Sequence, residues 1–264
     1  DLLVITIGTF PPTTTPAASS IKIKTENMSY KILITGGKGN LASHLIKEIK
    51  KQKDFEVYAP SKRELDITSE INIKRILDHF DPNCIIHTAA FTRPMHKHHL
   101  YPEISINTNI IGTAHLAKEC HLRKIKLVYI STDYVYPGVD GNYKEDSPLS
   151  PHSIQNDGIS KYGWSKLGGE CAVRIIENSL IIRACICDYP FPHKAALIDV
   201  KKSLIYAKDA APLIIRLIDQ TGVINLGGKS QSVYDFAKED NPDISFRRVG
   251  VYAGKIDKSI EILF

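Results

Sequence analysis

The stretch Lys31–Ala42, KILITGGKGNLA, decides the fold of this chain. It opens with a short run of apolar and β-branched residues, Ile32–Thr35, which is typical of a buried strand. A glycine-rich turn follows and leads directly into an amphipathic run, Leu41–Ile49. A strand, a tight glycine turn and a helix start together predict a dinucleotide phosphate site, because the free N–H groups and the dipole of a helix N-terminus favour an anion.

Three small residues have separate roles in this predicted phosphate site. Gly36 can adopt turn dihedrals that a side chain would forbid. Gly39 lets the backbone approach a pyrophosphate, and Ala42 is small enough for close packing of the helix on the strand. Glycine-rich turns also occur without any ligand, so the assignment needs support from other parts of the chain.

Length and composition are those of an ordinary globular protein. The 264 residues suffice for one large or two small domains, and 43% are hydrophobic and 24% charged. The net charge of +5 is spread along the chain without a long basic run, so neither a nucleic-acid nor a membrane partner is predicted. No apolar stretch approaches the roughly 20 residues that a membrane helix needs.

The cysteines favour a reducing environment. Their number is odd, and their spacing is not that of a disulfide framework: Cys84, Cys120, Cys171, Cys185 and Cys187. We therefore expect free thiols and a cytoplasmic location. The Cys-Ile-Cys run at 185–187 lacks a second pair of ligands, so no structural zinc site is expected, and no metal ligands are assigned.

The chain is expected to fall into three parts. Residues 1–27 are apolar and then rich in Thr, Pro and Ala, lack the features of a secretory signal, and are interpreted as a peripheral extension, with Met28 as a candidate original start. Residues 28–182 are predicted to form an NAD(P)-binding domain. Residues 183–264 are predicted to form a reduced substrate-binding part, including a late strand at about 223–226 that returns to the sheet.

Strand and helix patterns alternate from Ser29 onward. The strand candidates are Lys31–Thr35, Phe55–Ala59, Cys84–Ala89, Lys126–Ser131, Ser179–Ala184 and Val223–Leu226. The helix candidates are Leu41–Lys53, Ile71–Phe80, Asn109–Leu122, Ser160–Asn178, Ala207–Ile218 and Val233–Lys238. Short apolar strands separated by helices predict an α/β fold with a doubly wound parallel sheet of the Rossmann type, with ligands at the carboxyl ends of the strands.

The end of the second strand bears on the choice of cofactor. An NAD enzyme usually places an acidic residue there to bind the ribose 2′-hydroxyl. Here Lys62 and Arg63 occupy this place and could pair with a 2′-phosphate, so NADP(H) is preferred and NAD(H) is the alternative. The opposing interpretation is a solvated basic loop, and Glu64 complicates the pattern because its direction cannot be read from the sequence.

Two residues have the spacing of an acid–base pair. Tyr162 and Lys166 lie four residues apart on a predicted helix and therefore share a face. A neighbouring ammonium favours the phenolate, so we expect the pKa of Tyr162 to be lowered from about 10. Thr132 follows a predicted strand at the ligand edge of the sheet, where its hydroxyl could bind a substrate carbonyl. Each feature alone is common by chance, whereas their conjunction in this order is not.

These pieces together resemble the extended short-chain dehydrogenase/reductase superfamily, and within it most closely the dTDP-4-dehydrorhamnose reductase family. The resemblance runs from about Lys31 to Arg183 and continues more weakly to Gly228. The matching motifs are ILITGGKGNLA, ELDIT (64–68), TAAFT (88–92), NIIGTAHLA (109–117), LVYISTDYVYPGVDGNYKEDSPLSP (127–151) and YGWSKLGGE (162–170).

The resemblance implies roles for individual residues. The catalytic residues would be Thr132, which orients the carbonyl, Tyr162, which protonates the C4 oxygen, and Lys166, which holds the cofactor ribose. The cofactor-binding residues would be Gly36, Gly39, Asn40, Leu41, Lys62, Arg63, Asp66, Ile67, Ala89, Ala90, Tyr162 and Lys166. The hydride chemistry itself would belong to the cofactor.

Several positions depart from the family pattern. The Asn before the Ala pair is His87, and the usual acidic residues after that strand are replaced by a basic run, 93–99. The place where the family tends to have a Trp facing the sugar holds Cys185-Ile186-Cys187. The three histidines of the basic run could bind a metal, but no carboxylate or Cys joins them, so a solvated loop near the site is preferred. The lone Trp164 is expected to pack in the core or at an interface.

The resulting hypothesis is an NADPH-dependent reductase of a dTDP- or UDP-linked 4-keto-6-deoxy sugar in nucleotide-sugar or rhamnose biosynthesis. One alternative is a sugar-nucleotide epimerase or dehydratase of the same superfamily. Another is a non-catalytic, NADP-binding regulatory subunit similar to the beta subunit of methionine adenosyltransferase, which the short substrate part favours. By analogy with the superfamily, the long helices predicted at 109–122 and 160–178 could pair in a homodimer.

Overall fold

The computed structural model describes residues 29–138, 141–151 and 157–248, together with the backbone of two short strands at 251–252 and 255–256. The predicted extension at residues 1–27 lies outside the described residues. The first half contains, in order, β1 (Tyr30–Thr35), α1 (Asn40–Ile49), β2 (Phe55–Tyr58), α2 (Glu70–Phe80), β3 (Cys84–His87), α3 (His96–Leu100), α4 (Pro102–Ser105), a π-helical segment (Ile106–Gly112), α5 (Thr113–Arg123), β4 (Lys126–Thr132), a 3₁₀ turn (Asp133–Val135) and α6 (Asp157–Arg174).

The second half is built from shorter elements. They are β5 (Ser179–Cys187), β6 (Ala195–Leu197), β7 (Lys201–Lys202), β8 (Leu204–Tyr206), α7 (Ala207–Arg216), β9 (Gly222–Leu226), β10 (Gln231–Ser232), α8 (Val233–Lys238), β11 (Ser245–Arg247), β12 (Val251–Tyr252) and β13 (Lys255–Ile256). The predicted helices and main strands are present in these positions, whereas the two- and three-residue strands were not predicted from the sequence.

Seven parallel strands form the central sheet. Their order is β2-β1-β3-β4-β5, and both β8 and β9 pair with β5. The chain leaves β1 toward one edge through β2 and then crosses to the other side at β3, so the strand order reverses between β1 and β3. Ligands of such sheets bind at the carboxyl ends of the strands beside this reversal. The predicted α/β class with a doubly wound parallel sheet is confirmed.

Alternate residues of β1 face opposite sides of the sheet and join two separate cores. Ile32 and Ile34 pack with residues of α1 and α7, including Leu45 and Ile214. Leu33 faces the other way, into a core shared with α2, α5 and α6. Because both faces are covered, the strands consist almost entirely of apolar residues, which explains why their pattern in the sequence is continuous rather than alternating.

Some element boundaries differ from the prediction for local reasons. The helix predicted from Asn109 adopts π-helical geometry up to Gly112 and is α-helical only from Thr113. Helix α2 begins after Ser69, whose hydroxyl accepts a hydrogen bond from the Asn72 N–H, an N-cap that satisfies a free donor of the first turn. It ends at Asp81, where the backbone turns left-handed with φ +48°.

A third, smaller core lies in the C-terminal part. It contains Phe191, Leu197, Tyr206 and Phe236, among others, and is bordered by the short pairs β7–β10 and β6–β11.

Strand β5 runs through residue 187, so the boundary predicted at 182/183 falls within one continuous strand. The division into a cofactor part and a substrate part stays a prediction. Within the described ranges, no helix has both the length and the apolar character needed to cross a membrane.

Candidate active site

The turn between β1 and α1 is held tightly by backbone contacts. Gly36 adopts φ +71°, and the Gly39 N–H donates to the Gly36 carbonyl at 2.8 Å. A Cβ placed on Gly37 would lie only 2.0 Å from the carbonyl oxygen of Ala59. Gly39 precedes α1 and offers no side chain to cap it, which leaves the helix N-terminus open to an anion. Gly37 was not singled out from the sequence, although it lies in the same GGKG run.

A cavity of about 650 Å³ opens at the carboxyl edge of the sheet beside this turn. It brings together nearly all the predicted site residues: Gly36, Gly39, Asn40, Leu41, Lys62, Asp66, Ile67, Ala89, Ala90, Thr132, Tyr162 and Lys166. Arg63 is the exception, since it is exposed on the loop and does not line the cavity. Residues from five separate segments therefore meet in one place, while their contacts with a ligand stay predictions.

The loop after β2 presents one basic side chain to the cavity. Lys62 lines it, whereas the Glu64 carboxylate turns back and accepts a hydrogen bond from the Ser61 N–H at 2.7 Å. Hydrogen bonds from Ser61 lower the pKa of Glu64. Glu64, which complicated the sequence pattern, thus binds a backbone N–H of its own loop.

His87 is fully buried at the end of β3 and links two elements. Its Nδ1 lies 2.7 Å from the Thr35 hydroxyl, and its Nε2 lies 3.0 Å from the Thr113 hydroxyl of α5. The Thr35 hydroxyl also accepts a hydrogen bond from the Ala89 N–H at 3.1 Å. Burial lowers the pKa of His87 to about 3, with a smaller effect from Lys166, so the imidazole is neutral at physiological pH.

Lys166 lies in an unusual environment for an ammonium group. Its Nζ sits 4.0 Å from the centroid of the Tyr129 ring, and the side chain is almost fully buried. The Tyr129 hydroxyl donates to the Lys166 carbonyl at 3.2 Å and so fixes this turn of α6. Burial lowers the pKa of Lys166 to about 7, against a smaller opposing effect of Glu170. Lys166 therefore titrates in the neutral range.

Tyr162 has a higher pKa than the sequence led us to expect. Burial raises it well above its ordinary value, and the carboxylate of Asp133 and the neighbouring Tyr134 raise it further. A hydrogen bond with the Thr132 side chain acts in the opposite direction. The expectation that Lys166 would lower this pKa is wrong for this structure, because desolvation outweighs the other contributions. The phenol holds its proton firmly.

His98, one of the three histidines expected in a solvated loop, packs instead against the Tyr162 ring. The two ring centroids are 5.2 Å apart, and Phe91 lies on His98 at 4.6 Å. Nε2 of His98 donates to the Thr92 carbonyl at 3.0 Å, which leaves Nδ1 to accept from the Ser105 hydroxyl at 2.8 Å. The predicted solvated histidine loop is thus partly wrong, since this histidine is buried. In the part of the chain that the structure describes, no group of three or more His, Cys, Asp or Glu side chains could hold a metal ion.

Asn109, a residue not singled out from the sequence, joins the loop after β3 to helix α6. Its amide group donates to the Phe91 carbonyl at 2.9 Å and to the Ser165 hydroxyl at 2.8 Å, while its oxygen accepts from the Phe91 N–H at 2.7 Å. The Ser165 hydroxyl donates in turn to the Tyr162 carbonyl at 2.7 Å. The motif NIIGTAHLA carries this Asn and could have indicated it.

The far side of the cavity is formed by the end of β5 and the loop after it. Cys185, Cys187 and Phe191 line it, and Asp188 accepts hydrogen bonds from Asn40 at 2.5 Å and from Arg93 at 2.9 Å. Phe191, in the loop after β5, is an aromatic residue of this lining and is nine-tenths buried. Trp164, expected in a core or interface, is 53% exposed.

This fold and this cavity define a class of protein. A glycine turn at the strand reversal and the grouping of Thr132, Tyr162 and Lys166 place the chain among the NAD(P)-dependent oxidoreductases of the extended short-chain dehydrogenase/reductase type. The chain belongs to the family described as RmlD substrate binding domain, whose model matches residues 30–187.

Individual relatives carry different names. The chain is 29% identical to the spore coat polysaccharide biosynthesis protein SpsK of Bacillus subtilis, over 78% of this chain and 77% of that one. It is 33% identical to a dTDP-4-dehydrorhamnose reductase of Aggregatibacter actinomycetemcomitans over 58% and 50%. It is 32% identical to methionine adenosyltransferase 2 subunit beta of Xenopus tropicalis over 54% and 42%. The last two matches span half or less of those relatives.

A solved structure resembles most of the chain. It is a dTDP-4-dehydrorhamnose reductase from Bacillus anthracis in complex with NADP, with a TM-score of 0.75 and 26% identity. The superposition covers 84% of this chain and 85% of that one. The likeness therefore extends beyond the family match into the C-terminal part.

Proposed function

We propose that this protein uses NADPH to reduce the C4 carbonyl of a nucleotide-linked 4-keto-6-deoxy sugar, of the dTDP- or UDP-4-dehydrorhamnose type, giving a rhamnose-type product. The observation that carries the proposal is that Thr132, Tyr162 and Lys166 line the same cavity as the glycine turn of β1 and α1. Family membership and the reductases among the relatives support it.

The cavity residues fit a dinucleotide cofactor. The Gly36–Gly39 turn and the N-terminus of α1 would hold its diphosphate, because Gly39 precedes the helix without a side-chain cap and leaves the first N–H groups open to an anion. Asp66 and Ile67 would lie at the adenine, and Ala89 and Ala90 near the ribose. Lys62 would face a 2′-phosphate, which together with the NADP-bound relative supports NADP(H) over NAD(H).

The side chains would divide the work on the sugar carbonyl. The cofactor supplies the hydride that reaches C4. Tyr162 donates its proton to the C4 oxygen, and its raised pKa keeps that proton in place until charge develops on the oxygen. Thr132 donates a hydrogen bond to the same oxygen and orients the carbonyl, and Lys166 binds the ribose hydroxyls of the cofactor.

The C-terminal part would supply the sugar side of the cavity. Cys187, Phe191 and His193 line it there, opposite the residues of the first half. We therefore assign cofactor binding to residues 28–182 and sugar binding to 183–264, joined through β5.

One assay tests this function directly. The protein is mixed with NADPH and freshly prepared dTDP- or UDP-4-keto-6-deoxyglucose, and NADPH absorbance is followed. We expect consumption with one of the two sugars and a reduced 6-deoxy sugar as the product. Tyr162→Phe removes the proton donor, so kcat is expected to fall by about a thousandfold, while Kd for NADPH changes far less.

Tyr101→Phe is the matched control, because it removes a phenol hydroxyl from an exposed side chain that does not line the cavity. If NADPH binds but neither sugar consumes it, the reductase function is wrong. Conversion of the sugar without net NADPH use would instead indicate an epimerase or a dehydratase.

A regulatory role is the second candidate. The observation that favours it is the 32% identity to methionine adenosyltransferase 2 subunit beta, over about half of this chain. Such a subunit would bind NADP without reducing a sugar. A pull-down with purified methionine adenosyltransferase, with and without NADP, tests this alternative, and stable binding without sugar turnover would favour it.

A further inference from the structure

An ion pair that has no part in the proposed reaction lies beside Thr132. Asp133 directly follows Thr132 at the end of β4, and its Oδ2 lies 2.5 Å from Nζ of Lys202, which comes from the short strand β7. The same ammonium lies 4.1 Å from the centroid of the Tyr134 ring. The side chains of Lys202 and Asp133 are only 22% and 26% exposed. A pair held this closely in a partly buried position fixes both groups.

The strand pairing brings Lys202 to this place. Thr132 of β4 pairs with Ala184 of β5, and the next residue of β5, Cys185, pairs with Leu204 of β8. Lys202 lies two residues before Leu204 and so reaches the end of β4 from the C-terminal part. An ammonium from residues that follow the family match therefore touches the loop that carries Thr132.

The Thr132 hydroxyl has a single proton, and more than one nearby oxygen could accept it. Its oxygen lies 3.3 Å from Oδ1 of Asp133, to which it donates, and it accepts from the Tyr134 N–H at 3.3 Å. It also interacts with the Tyr162 phenol. A hydroxyl has one proton to donate, so a strong bond to Asp133 would withhold that proton from a substrate oxygen. At 3.3 Å, the bond to Asp133 is longer than an ordinary O–H···O bond, which measures about 2.7–2.8 Å.

We propose that Lys202 is a positioning residue that holds the Asp133 carboxylate by its Oδ2, leaves the Thr132 hydroxyl free to donate to the C4 oxygen, and cancels a negative charge beside that oxygen. This inference rests on the proposed reductase function. Without the ammonium, the carboxylate would bind Thr132 more tightly and would repel the charge that develops on the carbonyl oxygen during hydride transfer. Lys202 acts through Asp133 and Thr132, and it does not itself line the cavity.

A double-mutant cycle isolates this effect. Lys202→Met is made in the wild type and in Asp133→Asn, and kcat, KM for the sugar and Kd for NADPH are measured. We expect Lys202→Met to lower kcat about 10- to 100-fold in the wild type, less than the loss of a direct oxyanion donor. In Asp133→Asn, where no carboxylate needs to be held, the same change should alter kcat less than about threefold. Kd for NADPH should stay the same throughout.

Two further variants complete the test. Lys202→Arg keeps the cation and should recover most of the lost kcat, whereas Lys202→Gln should not. Lys201→Met is the matched control, since Lys201 is the exposed neighbour on the same strand, and its kcat should equal that of the wild type. If Lys202→Met unfolds, the comparison of Lys202→Arg with Lys202→Gln still decides the question.

The outcomes separate the two proposals. Equal losses of kcat in both Asp133 backgrounds would mean that Lys202 only supports packing, and an unchanged kcat in Lys202→Met would mean that it has no role; either result overturns the inference and leaves the reductase function standing. If the wild type itself binds NADPH but reduces neither sugar, the reductase function fails and this inference fails with it.

Discussion

The Thr35 hydroxyl lies 2.7 Å from Nδ1 of His87, so the first and third strands are joined by side chains at the point where the sheet reverses its order. The same hydroxyl accepts from the Ala89 N–H, which places the small residues Ala89 and Ala90 against the glycine turn. A neutral imidazole is required here, because a buried charge without a carboxylate partner would be costly. The contacts at this edge of the sheet therefore depend on His87 remaining neutral.

We predict that His87 makes the protein less stable in mild acid. Its pKa is about 3 in the folded protein and about 6.5 in an unfolded chain, so the unfolded state takes up the proton first as the pH falls. The stabilisation is complete above about pH 6.5 and is lost progressively below it, by about 2 kcal/mol at pH 5. Urea unfolding at pH 7 and pH 5 measures this loss.

Two substitutions sharpen that measurement. His87→Asn removes the titrating group and should lose about 2 kcal/mol less between the two pH values than the wild type does. His79→Asn, on the exposed end of α2, should behave like the wild type. An equal acid loss in wild type and His87→Asn would contradict the prediction.

Gly37 should contribute strongly to stability, and Gly39 should contribute little. A Cβ on Gly37 would lie 2.0 Å from the Ala59 carbonyl oxygen, a backbone atom that cannot move aside, so Gly37→Ala should lower the free energy of unfolding by about 2–3 kcal/mol. A Cβ on Gly39 meets only the Gly36 carbonyl at 3.1 Å, so Gly39→Ala should fold and show its effect mainly in NADPH binding. Thermal unfolding and fluorescence titration distinguish the two, and equal stability of both variants would refute the assignment.

Lys166 should make NADPH binding depend on pH near neutrality. Its pKa is about 7, so it carries a charge below pH 7 and loses it above. Because a charged donor binds ribose hydroxyls more strongly than a neutral amine, affinity for NADPH should fall about three- to tenfold from pH 6 to pH 8.5. Lys166→Met should lack this component, whereas Lys161→Met on the same helix should keep it. A wild-type profile that matches Lys166→Met would show that Lys166 does not titrate in this range.

Lys62, rather than Arg63, should select NADPH over NADH. Lys62 lines the cavity and Arg63 does not, so Lys62→Ala should raise Kd for NADPH about tenfold and leave Kd for NADH unchanged. Arg63→Ala should change either value by less than about threefold. Isothermal titration with both cofactors measures this, and the reverse order of effects would return the 2′-phosphate contact to Arg63.

Local patterns were sufficient to predict the sheet and to single out Tyr162, Lys166 and Thr132 as candidates, which the structure brings into one cavity. The run Ile32–Thr35 and the glycines after it define a strand and a turn by their composition alone, and Tyr162 and Lys166 are recognised by their spacing on one helix face. The short strands β6, β7 and β8 escaped prediction because two or three residues show no period.

The features that sequence reasoning missed depend on contacts between distant segments. His98 looks like part of a basic loop until α6 brings the Tyr162 ring against it, and Lys202 becomes significant only through the pairing of β8 with β5. The raised pKa of Tyr162 is of the same kind, because burial is a property of the assembled fold.

Strand β5 has a mechanical consequence for how two ligands could be brought together. Its first six residues pair with β4, five of these also pair with β9, and its last three residues pair with β8. A hinge within β5 would have to break backbone hydrogen bonds that join this unbroken strand to its neighbours. If the cofactor and the sugar bind as proposed, this continuous strand would fix the distance between the residues that hold them, at about 3.3 Å per residue.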